Sequence, residues 1–186
     1  MEISFKAQYI KTTPIKNLKR DLSYSVKNVS FVTLESQNQA DICAIRSINL
    51  SWNSGFLRRI YNNLSRYNDK FKIFALTTQK QNFEELKANK ILGVALVERK
   101  PDGVLYLDYL QTNPKYIKEN ALLPKYKNIG TAILNCIKQE PKVKCIKAES
   151  VPAAFDFYLK NDFKPDNNLL DDFSIIWKED SEQSSL

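Results

Sequence analysis

The stretch Lys125-Tyr126-Lys127-Asn128-Ile129-Gly130-Thr131-Ala132 holds the residues whose types and spacing point most directly to chemistry. A glycine-containing loop runs there into the start of a helix, where consecutive backbone N–H groups have no helical carbonyl to bind. The helix dipole adds partial positive charge at the same end, so such a loop binds anions, phosphate above all. Gly130 places no Cβ between a phosphate and the backbone, and Lys125 and Lys127 add full charges beside it. Taken alone, the same pattern is also an ordinary structural cap. The chain has no histidine. That excludes Ser-His and Cys-His nucleophile pairs and removes the commonest metal ligand. Proton transfer in such a chain runs through carboxylates, Tyr, Lys, Cys or water. Cys43, Cys136 and Cys145 lack metal-like spacing, so no metal is expected and free thiols are.

The charge around this loop is uneven. Between Gln111 and Lys147 stand eight lysines against Glu119 and Glu140, a local net +6 in a chain whose whole net charge is +7. A field of that sign attracts nucleic acid or a phosphate-rich cofactor. The competing explanation is compositional, since the chain holds 22 Lys and 6 Arg and is rich in Asn and Ile. At 186 residues, 43% hydrophobic and 26% charged, the chain suits one globular domain. Its longest apolar run, Ile91–Val97, is far below the roughly 20 residues that span a bilayer. With no secretory h-region at the N-terminus, a cytoplasmic protein with no membrane partner is expected.

Periodicity supplies the elements that must position the loop. Residues 1–28 read as a basic N-terminal extension with a short strand at Ile3–Ile10, and residues 179–186 as a polar tail. Between them lies a single domain, 29–178. Val29–Glu35 reads as a strand, Gln39–Leu50 and Ser54–Tyr67 as helices, the second capped by Ser54. Phe71–Thr77, Ile91–Glu98 and Val104–Thr112 read as strands, the last two joined as a hairpin through Pro101-Asp102-Gly103. Ile129, Ala132, Ile133, Cys136 and Ile137 follow the spacing of a core-facing helix that Pro141 ends. Val143–Ala148 is a strand, Ser150 caps a helix bearing Phe155, Tyr158 and Leu159, and Asp171–Trp177 is the last strand. The order β-α-α-β-β-β-α-β-α-β describes an α/β (α+β mixed) fold, a mixed central sheet with helices on both faces.

This order, with Leu110-Gln111-Thr112-Asn113-Pro114, the loop at 125–132, and Ala154, Phe157-Tyr158, Lys160 and Phe163 in the late helix, resembles the GNAT N-acetyltransferase superfamily. The likeness is firmest over about 90–165, looser over 29–89, and does not extend to 1–28. Departures are specific. Lys125 stands for Arg or Gln, Asn128 for the first loop glycine, Val151 for the helix Asn, and Asp162 for the Gly before Phe163. Residues 115–124 look like an insertion. The resemblance implies acetyl-CoA as co-substrate, with backbone groups of Leu110, Gln111 and Thr112 along the pantetheine arm. It places the pyrophosphate at the N–H groups of Lys127, Asn128, Ile129, Gly130 and Thr131, with Lys125 and Lys127 as counter-charges. Tyr158 matches the family's acid near the sulfur.

An amine then attacks the thioester directly, and a base must take its proton. Asp108 is the first candidate, because its parity on the strand matches Tyr106, Leu110 and Thr112. Glu98 and Glu149 are the alternatives. The acceptor amine, small molecule or protein, is not specified by these residues, although Asn49–Tyr67 and Lys164–Asp172 would shape its pocket in such a fold. A monomer and a homodimer fit equally. Two further readings stand behind this one, in order: a GNAT-like domain that binds acyl-CoA without turnover, and a basic protein that binds nucleic acid.

Overall fold

The computed structural model describes residues 7–36, 38–52, 55–65, 70–117, 122–166 and 173–179. Ser54, Tyr67 and Asp171 therefore lie outside the described residues, as do parts of the insertion at 115–124 and of the polar tail. The strands are β1 (Gln8–Leu18), β2 (Tyr24–Leu34), β3 (Phe71–Thr77), β4 (Ile91–Arg99), β5 (Val104–Thr112), β6 (Tyr126–Lys127), β7 (Cys145–Glu149), β8 (Lys164–Pro165) and β9 (Ser174–Lys178). The helices are α1 (Gln39–Trp52), α2 (Gly55–Ser65), α3 (Ile129–Lys138) and α4 (Phe155–Leu159). They build one sheet in the order β6-β1-β2-β3-β4-β5-β7-β9-β8, in which only β5 and β7 run parallel. The mixed sheet and its helices match the fold class read from the sequence.

Two apolar cores form on opposite faces. α1 and α2 bury Ile45, Ile48, Leu57, Ile60 and Leu64 against Val32, Ile73, Ala75, Val94 and Leu96. α3 and α4 bury Ile129, Ile133, Ile137 and Tyr158 against Phe31, Phe74, Leu92, Val97 and Leu107. The side chains of β3 and β4 alternate between these cores, which is why both strands read as nearly unbroken apolar runs. α3 lies close to β4 because Gly93 is beneath it: a Cβ there would meet Ile133 Cδ1 at 2.8 Å and Ile129 Cγ2 at 2.9 Å.

The N-terminal region departs from expectation. Of the strand expected at Ile3–Ile10, residues 3–6 lie outside the described residues and Gln8–Ile10 open a longer one. β1 begins at Gln8 and pairs along its length with β2, which itself starts at Tyr24 rather than Val29. Ile15 is 3% exposed, so residues read as an extension contribute to the core. Periodicity missed this strand because its middle, Lys11-Thr12-Thr13-Pro14, is polar. Pro14 is tolerated because the two-residue β6 reaches β1 only at Lys16 and Asn17. Ser150 does not cap the late helix. Its hydroxyl donates to the Val151 carbonyl, and a 3-10 turn at Pro152–Ala154 leads into α4.

Candidate active site

The β5–β7 ladder is short. It pairs Val104 with Cys145, Leu105 with Ile146 and Tyr106 with Lys147, and then ends. On the other side of β5, Leu96 faces Tyr109 while Val97 faces Leu107, so Asp108 is an extra residue, a β-bulge. A bulge bends its strand and turns the following side chains over. Leu105 and Leu107 accordingly join the α3 core, Tyr109 packs with the α2 core, and Leu110 returns to the α3 side.

Where the ladder stops, a cleft of about 470 Å³ opens. Leu110, Gln111 and Thr112 form one wall, Tyr116, Ile117 and Tyr126 another, Ala153, Ala154, Phe157 and Tyr158 a third, and Lys127 to Thr131 the end. Six of these are held by β5 and by the start of α3, the two elements most legible from periodicity. The start of α3 lacks an N-cap side chain: Asn128 precedes it with φ 64, and its side chain accepts from none of the first N–H groups. These donors therefore face the cleft end unsatisfied by the helix. The glycine at 130 has a packing reason as well, since a Cβ there would meet Phe157 Cζ at 2.9 Å. The incoming loop is fixed from outside. Tyr24 Oη donates to the Pro124 carbonyl at 2.9 Å, the Leu18 N–H donates to the Lys125 carbonyl at 2.9 Å, and Lys127 Nζ lies 4.1 Å from the Tyr24 ring centroid.

Tyr158 is 8% exposed and packs edge-to-face on Phe157 and Phe163. Burial pushes its phenol up to about 12, so it stays protonated at neutral pH. None of the described residues hydrogen-bonds its hydroxyl, which leaves the proton available to a ligand in the cleft.

Lys125 and Asp108, like the alternative bases Glu98 and Glu149, do not line this cleft. Lys125 points its ammonium over the Tyr126 ring, 5.4 Å from the centroid. Asp108 lies on the opposite face of the sheet with Tyr109, because the bulge breaks the parity that related it to Leu110 and Thr112. There it meets Arg59 of α2, Nη2 to Oδ2 3.1 Å, in an ion pair that lacks hydrogen-bond geometry and leaves the buried Oδ2 without a hydrogen bond. Burial raises the Asp108 pKa, Arg59 opposes the rise, and Glu98 and Glu149 reinforce it. Close by, Tyr106 Oη donates to Glu149 Oε1 at 3.3 Å and Lys100 pairs with Glu98 at 2.6 Å. The sheet thus separates a cleft with anion-binding donors from a carboxylate group on its α2 face. Tyr116, Ile117, Tyr126 and Phe157 were missed as lining residues. For Tyr116 and Tyr126 the signal was their interleaving with the lysines of the loop, a pattern that also fits, loosely, stacking on nucleic acid; Ile117 and Phe157 carried none.

Neither a protein-family profile nor any curated protein matches the chain. Solved structures do. GCN5 of Tetrahymena aligns with 88% of this chain and 94% of its own at 11% identity and TM-score 0.51. A Lactobacillus plantarum protein described as an N-acetyltransferase covers 80% of this chain and 97% of its own at 12% identity and TM-score 0.51. Ard1 of Thermoplasma volcanium covers the same shares at 12% identity and TM-score 0.50. The chain has the GNAT fold. Among the described residues no group of three or more acidic or thiol side chains is placed to hold a metal. None of the described helices is long and apolar enough to cross a membrane.

Proposed function

We propose that this GNAT-fold chain is an N-acetyltransferase that moves the acetyl group of acetyl-CoA directly to an amine. The observation that carries the reading is the cleft where β5 parts from β7, closed at one end by helix donors without an N-cap side chain and walled by a buried, unpartnered Tyr158 hydroxyl. The cleft fits the co-substrate chemically: donors and Lys127 for the pyrophosphate, strand backbone at Leu110–Thr112 for the amide-bearing arm, and an apolar flank at Phe157. When bound, acetyl-CoA supplies the activated acyl group. The chain orients it, and Tyr158 donates its proton to the sulfur as the C–S bond breaks. The amine reaches the carbonyl from the α2 face, where Asp108, with Glu98 and Glu149 as alternatives, takes the proton it releases. Acyl transfer of this kind needs no covalent intermediate on the protein, in keeping with a chain without histidine.

Incubation with acetyl-CoA and a panel of amines (polyamines, amino sugars, peptide N-termini and lysine peptides), with free thiol followed over time, tests the proposal. Amine-dependent thiol release is the expected result. Binding of acetyl-CoA without release above the amine-free rate, across the panel and across pH, would replace it with the reading of a binding domain that lacks turnover.

A further inference from the structure

A second cavity, of about 620 Å³, lies at the far end of α3 from the cleft. Its origin is a mismatch of lengths. Pro141 limits α3 to ten residues, about 15 Å of helix, whereas β4 and β5 run nine residues each, about 30 Å. The sheet therefore continues beyond the helix. Its floor there is apolar, made by Ile10, Leu105 and Val143 over the buried Phe74 and Val97, with the Lys72 ammonium 4.9 Å from the Phe74 ring centroid. The 140–142 segment forms the roof.

The charges around this floor are unequal. Lys72 is satisfied by Glu140 at 2.7 Å, and Lys100 by Glu98 at 2.6 Å. Arg99 and Lys142 also line the cavity, are exposed, and have no carboxylate within ion-pair distance among the described residues. The two meet at the same rim. Arg99 ends β4, and the Lys142 backbone presses on the β4–β5 turn so closely that a Cβ on Gly103 would lie 2.3 Å from the Lys142 carbonyl oxygen. Lys142 itself is held at φ 69, and the Lys144 N–H donates to the Gly103 carbonyl at 2.9 Å, so this rim is a fixed structure. Glu35, the remaining carboxylate of the lining, directly follows β2 and feels the Lys72 charge.

From the apolar floor and the two unpartnered cations at one rim we infer a second ligand site, for a small organic anion with an apolar body: an aromatic or short aliphatic carboxylate. The apolar part lies against Ile10, Leu105 and Val143, and the carboxylate meets Arg99 and Lys142. An amphipathic cation is disfavoured by the same rim. The site is independent of the acetyl-CoA reading.

The test is calorimetric titration of the whole protein with 4-phenylbutyrate, alongside 4-phenylbutylamine, with and without saturating acetyl-CoA. Saturable 4-phenylbutyrate binding is expected. It weakens about tenfold in the Arg99→Gln, Lys142→Asn double variant, is unchanged by acetyl-CoA, and is absent for the amine. Asn keeps the left-handed turn at 142, and both positions are exposed, so a thermal midpoint near that of the unmodified protein verifies folding. No saturable binding, equal binding of the amine, an unweakened double variant, or displacement by acetyl-CoA each overturns the inference.

Discussion

Tyr158 carries its proton at any pH near neutrality because burial moves its phenol up to about 12. Replacing it with Phe removes the proton and little else, since no described side chain uses the hydroxyl. The account expects Tyr158→Phe to fold with a stability change within about 0.5 kcal/mol, to keep its acetyl-CoA affinity, and to lose about a hundredfold in kcat. Steady-state kinetics beside a calorimetric titration check this. An unchanged kcat removes Tyr158 from the acid role. Asp41 is a residue of another kind. It is fully buried at the start of α1, accepts the Glu35 N–H through Oδ2 at 3.0 Å, and has Oδ1 unpartnered. Burial pushes its carboxyl up to about 7. The folded state thus holds a proton that the unfolded chain gives up, so Asp41 adds stability at low pH that fades as pH rises from about 4 to about 7. Asp41→Asn should flatten the pH profile of the thermal midpoint across that window, removing a variation in stability of up to about 4 kcal/mol. Parallel pH profiles of the two proteins would remove this role from Asp41. Asn128 and Asp162 were legible as departures from glycine, and they keep the left-handed backbone that glycine would take, φ 64 and φ 63. Asn and Asp are the residues that do this most readily, so the turns survive the substitutions.

β4 and α3 form the element pair on which the cleft depends, and Gly93 sets their spacing. Gly93→Ala must move Ile133, Ile129 or the Gln111 carbonyl, which lies 3.1 Å from the added carbon. A loss of about 1–3 kcal/mol in urea unfolding is expected, with weaker acetyl-CoA binding because Gln111 lines the cleft. Unaltered stability would show that α3 is not seated as described. Much at this scale was readable in advance. The i, i+3, i+4 pattern of Ile129 to Ile137 and the Pro101-Asp102-Gly103 turn both depend on local chemistry, and both elements lie where periodicity puts them. Asp102 and Gly103 take positive φ at the turn, as the Asp-Gly pair suggests. What could not be read depends on distant partners. The bulge at Asp108 comes from the register of β5 with β4, and no local pattern marks it. It reversed the assignment of Asp108 to the cleft. The two-residue β6 exists only because β1 lies beside it, and β1 itself was hidden by its polar middle.

The molecule as a whole is a basic protein, net +7, yet its lysines are not simply spread over the surface. Lys27 and Lys125 lie over the Tyr126 ring, and Lys127 over Tyr24, at the mouth of the cleft. The positive field is therefore anchored where the account puts a pyrophosphate. The central claim is that this cleft binds acetyl-CoA through the start of α3. Its most direct test is calorimetric titration of the full chain with acetyl-CoA, repeated on Thr131→Glu and Lys127→Glu. Glu at the third helical position suits the helix dipole, so Thr131→Glu should fold at least as well as the unmodified protein while setting a carboxylate against the anion. The account predicts micromolar binding, about −8 kcal/mol, weakened at least tenfold in each variant. Absence of binding up to millimolar acetyl-CoA, or binding indifferent to both substitutions, contradicts it.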